Sequence, residues 1–134
     1  MATSFNHYAQ LATAFHEACK QIVIKTAHDC QANIQAHIRA NGQIDTGFMV
    51  NSVYTVTSEG SSYSGGTDAL PEVQAPENDT TAYVGVAASY GYWQNYGTTR
   101  LPARPFFEPG IEETRASFEA ACAAIEDKMR QAGI

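Results

Sequence analysis

The chain has 134 residues, 44% of them hydrophobic and 16% charged, and a formal net charge of −6. These totals describe one ordinary globular domain with a single modest core, and the acidic balance argues against general nucleic-acid binding, which needs clustered Lys and Arg. No run of about 18 apolar residues is present, and the opening MATSFNHYAQ lacks the basic-then-apolar order of a secretory signal.

Between residues 5 and 40 the apolar positions Tyr8, Leu11, Phe15, Ala18, Ile22, Cys30, Ile34 and Ile38 recur mostly every three or four residues. That spacing predicts an amphipathic helix. Thr3 and Ser4 are candidate caps, and Asn41-Gly42 is a left-handed stop. Unbroken, the helix would be ~54 Å long, more than the width of a domain this size, so it either kinks near residues 26–28 or projects onto a neighbour. All four histidines (His7, His16, His28, His37) lie on it, none three or four residues from another, so no helical metal pair forms. Cys19 and Cys30 would sit ~16 Å apart, too far for a disulfide. With Cys122 they read as small buried hydrophobes in a reducing compartment.

Asp45-Thr46-Gly47 reads as a turn, residues 48–52 as one helical turn, and 53–58 and 81–88 as strands rich in β-branched residues. Between the strands, residues 59–80 hold Ser, Gly, Pro and the acids Glu59, Asp68, Glu72, Glu77 and Asp79, with no Lys or Arg. Length and polarity predict a long polar arm or loop that serves contacts between subunits. The last element is a helix with Pro109, Glu112 and Glu113 near its start, Lys128 and Arg130 near its end, and Gly133 beyond. Ile111, Arg115, Phe118, Cys122, Ile125 and Met129 share one face of it. The expected fold is α+β, one domain over residues 1–134, with a small antiparallel sheet packed against a long N-terminal helix and a C-terminal helix. Open sheet edges favour pairing with another chain.

Catalytic signatures are missing: there is no GxSxG elbow, Walker loop or GxGxxG. Glu112-Glu113 suits the helix dipole and needs no catalytic role. No catalytic, cofactor-binding or metal-binding residue is expected. The enzyme alternative is a small-ligand site built from Arg100, Arg104 and the neighbouring tyrosines.

Residues 90–113, YGYWQNYGTTRLPARPFFEPGIEE, combine Tyr92, Trp93, Tyr96, Phe106 and Phe107 with three of the chain's five prolines. Aromatic residues of this kind are enriched at interface hot spots, and prolines reduce the entropy lost on docking. The segment resembles Y-A-x-x-x-E-x-G-T followed by x-R-P-F-hydrophobic-x-P-A. Asp45-Thr46-Gly47, Met49, Ser52 and Val53 resemble D-T-G-x-L-x-x-S-I. In this order the motifs are similar to those of the tail-component family named after gene product ten of the Hong Kong ninety-seven phage, over nearly the whole chain. Asn95 stands where that family has an acid, and Gly110 where it has Ala.

The resemblance implies a virion structural protein assembled in the host cytoplasm. Its place would be a hexameric ring at the head–tail junction, between head-completion (stopper) and tail-terminator proteins, through which genomic DNA passes without specific binding. The tail terminator itself is the nearest rival. Tyr92, Trp93, Tyr96, Arg100, Arg104, Phe106 and Phe107 are the expected subunit contacts. Gly97, Thr98, Pro105 and Pro109 are expected to shape the turn, with Arg104 paired to Glu108 or to an acid of the next subunit.

Overall fold

The apolar stripe of the first helix sets where the core lies. In the computed structural model, which describes residues 2–43 and 47–131 (2–9 as backbone alone), helix α1 (Ala2–Ala40) runs without a break through residues 26–28. At ~1.5 Å per residue it is ~58 Å long. Thr3 and Ser4 fall inside its first turn, and their side chains lie outside the described ones. Among its described side chains the deeply buried ones are Ala27, Cys30, Ile34 and Ile38, all in its second half, a three-four-four spacing that keeps them on one face. Towards its start Phe15 is 43% exposed.

Asp45 and Thr46 lie outside the described residues, and Gly47 takes a left-handed backbone. Helix α2 (Phe48–Asn51) then puts Met49 and Val50 into the core. Strand β1 (Val53–Thr57) is buried along its whole length. It lies between β2 (Gly60–Ser61) and β3 (Tyr83–Val86) in an antiparallel sheet of order β2-β1-β3, with Val53 opposite Val86 and Val56 opposite Tyr83. Alternation sorts the two faces. Val53, Val84 and Val86 pack with Ile34, Ile38 and Phe106 against the helices, whereas Tyr54 and Val56 face the other way with Ala87. Helix α3 (Gly91–Tyr96) follows the sheet, and helix α4 (Phe107–Gln131) closes the chain. The architecture is the expected α+β: a small three-stranded antiparallel sheet against a long N-terminal and a C-terminal helix.

The segment 59–80, expected to be a long polar arm or loop, is mostly exposed and lies against the sheet. It contributes β2, and then Tyr63 and Ala69 pack on Tyr54, Val56 and Ala87. Backbone bonds fasten it: Leu70 N–H donates to the Ala87 carbonyl (2.7 Å) and Ser89 N–H to the Asp68 carbonyl (2.9 Å). The Tyr63 hydroxyl donates to the Leu70 carbonyl (2.6 Å), and Val73 N–H donates to the Tyr54 hydroxyl (3.2 Å). His16 lies 2.9 Å from Asp79, and Lys20 lies 3.4 Å from Glu59, tying both ends of the strap to α1. The reason is in β1: a strand with both faces buried needs cover on both, and Tyr63 and Ala69 inside the polar strap supply the second.

Helices α1 and α4 pack antiparallel. Asn33 Nδ2 donates to Thr114 Oγ1 (2.9 Å), and His37 Nε2 lies 2.8 Å from Glu113 Oε1. At their closest approach a Cβ on Gly110 would sit 2.6 Å from Ile34 Cγ1 and 2.9 Å from the Ile34 backbone nitrogen. Of the three cysteines only Cys30 is buried; Cys19 is half-buried and Cys122 is exposed, against the expectation for Cys122.

The crossing makes Gly110→Ala a demanding change. Helix propensity gains ~1 kcal/mol from Gly to Ala, but overpacking against backbone that cannot swing aside costs ~1–3 kcal/mol. The expected outcome is a net loss of stability in urea unfolding. Replacing residues 62–78 with a short Gly-Ser linker should uncover Tyr54 and Val56. A loss of about 3 kcal/mol or more, together with binding of an apolar dye, is the expected result.

Candidate functional site

The segment 90–110 folds as a mount for three outward-facing rings. Helix α3 turns Gly91 and Asn95, four residues apart, into the domain. The same geometry sends Tyr92, Trp93 and Tyr96 outward, where they are 67%, 52% and 53% exposed. Their rings touch: Tyr92 and Tyr96 have centroids 4.7 Å apart, and Tyr92 meets Trp93 edge-on at 6.5 Å.

Asn95, 3% exposed, holds the mount together. Its Oδ1 accepts the backbone N–H groups of Phe106 (2.9 Å) and Phe107 (3.0 Å), and its Nδ2 donates to Glu108 Oε2 (2.8 Å). The start of a helix leaves N–H groups without intrahelical partners. Here Asn95 satisfies those of Phe106 and Phe107 from another helix, and Pro109 has none to satisfy. The Tyr96 hydroxyl donates to the other Glu108 oxygen. That bond, opposed by partial desolvation and aided by Asn95, holds the Glu108 carboxyl below its ordinary value, and the carboxylate in turn pushes the Tyr96 hydroxyl up.

The intervening loop is clamped back on α3. Gly97 has φ +80°, and a Cβ there would sit 2.7 Å from the Ala103 nitrogen. Thr98 N–H donates to the Leu101 carbonyl (2.7 Å), while Thr98 Oγ1 accepts from the N–H groups of Arg100 and Leu101. Asn41, just past α1, donates from Nδ2 to the carbonyls of Arg104 (3.3 Å) and Pro105 (2.9 Å).

Two expected contacts need correction. Phe106 is 1% exposed and sits in the core with Ile34, Ile38 and Val53, so its ring is unavailable to a partner; Phe107 is partly buried against the same cluster. Arg104 does not pair with Glu108, whose oxygens are taken by Asn95 and Tyr96. Its Nη1 donates instead to the Asn41 carbonyl (3.0 Å) at the end of α1, where the helix dipole favours a cation. Arg100 is exposed, and among the described residues its guanidinium has no ion-pair partner. Pro105 is exposed and Pro109 lies in the first turn of α4.

The tyrosines and arginines of this segment do not line the apolar groove of about 460 Å³ between α1, β3 and α4. That groove is bounded by Val23, Ala27, Cys30, Val84, Ile111 and Phe118, among others. Among the described residues no group of three or more His, Cys, Asp or Glu side chains is placed to hold a metal ion, and no helix is long and apolar enough to cross a membrane. Sequence reasoning found the rings but missed what supports them. Asn95 drew notice only as a departure from a motif, and its place on the same helical face as Gly91 was the usable signal. No family model, curated protein or solved structure matches the chain.

Asn95→Asp tests the mount. The variant keeps the acceptor for Phe106 and Phe107 but sets a second carboxylate against Glu108. In the wild type a lowered Glu108 pKa stabilises the fold above the ordinary carboxylate value near 4.5, an advantage lost as pH falls through the folded value. In Asn95→Asp the repulsion is greatest at neutral pH and is relieved when acid protonates one carboxyl. Thermal unfolding from pH 7 to 4 should therefore show the stability gap to wild type narrowing as pH falls.

Proposed function

We propose that the chain is a non-enzymatic structural subunit of the head–tail junction of a long-tailed phage, a neck or tail-completion protein that forms a ring around the DNA channel. The observation that carries this reading is the outward aromatic surface of Tyr92, Trp93 and Tyr96 on a rigid mount. The residues that match the tail-component motifs, Tyr90, Gly97, Thr98, Arg104, Pro105, Phe106 and Pro109, flank this surface, and Tyr92, Trp93 and Tyr96 occupy positions that the motif leaves open. A small-ligand site would turn such rings inward around a cavity. Here they stand out from the domain, and Arg104 is spent on the end of α1. Rings held in place lose little entropy on docking, which favours a protein contact. The net charge of −6 suits a conduit, because acidic walls repel phosphate and let DNA pass without sticking.

The double substitution Tyr92→Ala and Trp93→Ala separates docking from folding. Both side chains are more than half exposed, so monomer stability should stay within ~0.5 kcal/mol of wild type. Hot-spot losses of ~2–4 kcal/mol per contact weaken association roughly 30- to 1000-fold, and head–tail joining in particles should fail. A large loss of monomer stability with joining intact would refute the assignment.

A further inference from the structure

The described surface carries a second patch, more polar than apolar, whose acids complement Arg100 beside the first. Val73 and Tyr83, 43% and 42% exposed, border a hollow of about 280 Å³ that also includes Glu77 and Asn78. Glu72 precedes Val73, and the whole segment 59–80 holds five acids and no Lys or Arg. Glu59 and Asp79 are engaged by Lys20 and His16. Among the described residues Glu72 and Glu77 have no ion-pair partner, and neither has Arg100 beside the aromatic surface.

The two patches are anchored at different places on α1. The strap that carries Glu72 and Glu77 is tied at both ends to the middle of α1, at His16 and Lys20, whereas the aromatic mount is bonded to Asn41 just past its end. From Lys20 to the end of α1 the helix rises ~30 Å, and among the described residues no bond joins Glu72, Val73, Glu77 or Tyr83 to Tyr92, Trp93, Tyr96 or Arg100.

We propose that the partner of the aromatic surface is a second copy of this chain, joined head to tail. Tyr92, Trp93 and Tyr96 of one copy seat on Val73 and Tyr83 of the next, and Arg100 meets Glu72 and Glu77. This deepens the ring reading and rests on its premise that the chain self-associates. A symmetric contact of the aromatic surface with itself would bring the Arg100 side chains of the two copies towards each other and leave Glu72 and Glu77 unpaired. The head-to-tail arrangement matches opposite charges across the contact, and because it uses two different patches it propagates from copy to copy into a ring or filament.

The experiment uses two variants of the full chain, Trp93→Ala/Arg100→Glu and Glu72→Lys/Glu77→Lys, each with one patch disabled. In sedimentation velocity each alone should associate at least about 30-fold more weakly than wild type. Mixed in equal amounts they should form a dimer that does not grow, because one intact patch of each kind remains. Arg100→Glu combined with Glu72→Lys/Glu77→Lys in one chain should regain association. If the wild type assembles but the mixture stays monomeric, or if Glu72→Lys/Glu77→Lys assembles like wild type, the head-to-tail contact is wrong while the ring reading stands. A wild type that is monomeric at every concentration removes the self-association on which both depend.

Discussion

One buried carboxamide organises the aromatic end of this domain. Asn95 accepts two backbone N–H groups at the start of α4 and donates to Glu108, and so joins α3, the loop after it and the C-terminal helix. Burial of a polar side chain is costly unless its bonds are made, and here they are, so the same residue fixes two outcomes. Phe106 is drawn into the core beneath α4, and the rings of Tyr92, Trp93 and Tyr96 are left pointing out. A carboxylate in this place could accept the same N–H groups but could not donate to Glu108. Asn95 is therefore matched by a neighbour that needs a donor.

The second organising constraint is β1. Its five residues are buried on both faces, so the sheet cannot be covered by helices alone. The strap across its far face is held by four backbone or tyrosine hydrogen bonds and by Tyr63 and Ala69. Exposed ion pairs such as Lys20 with Glu59 contribute little by comparison. Fastening the strap also fixes the positions of Glu72, Val73 and Glu77, which would be conformationally costly to order in a free arm. The domain thus has preorganised surface at both patches.

A rigid display of aromatic residues bears on function because association is limited by what must be ordered. Side chains that already stand in place lose little freedom on contact, so more of the buried area appears as affinity. The aromatic segment serves both purposes at once. Phe106 and part of Phe107 pack into the core, and Tyr92, Trp93 and Tyr96 stay exposed.

Local pattern in the sequence determined the elements themselves. The spacing of Cys30, Ile34 and Ile38, the β-branched run from Val53, and Pro109 with Glu112 and Glu113 are short-range signals, and α1, β1 and α4 formed where they point, whereas helix α3 was not read from the sequence. The left-handed backbone at Gly42 followed from the same kind of signal. What needed the tertiary structure were the pairings between distant residues. Whether residues 59–80 were an arm or a cover depended on a strand having two faces to bury. Whether Arg104 met Glu108 or the end of α1 depended on which donors reached Glu108 first in space. That Gly110 had to be small depended on Ile34, 76 residues earlier in the chain. Periodicity reports which side of an element is apolar; only packing decides what that side meets.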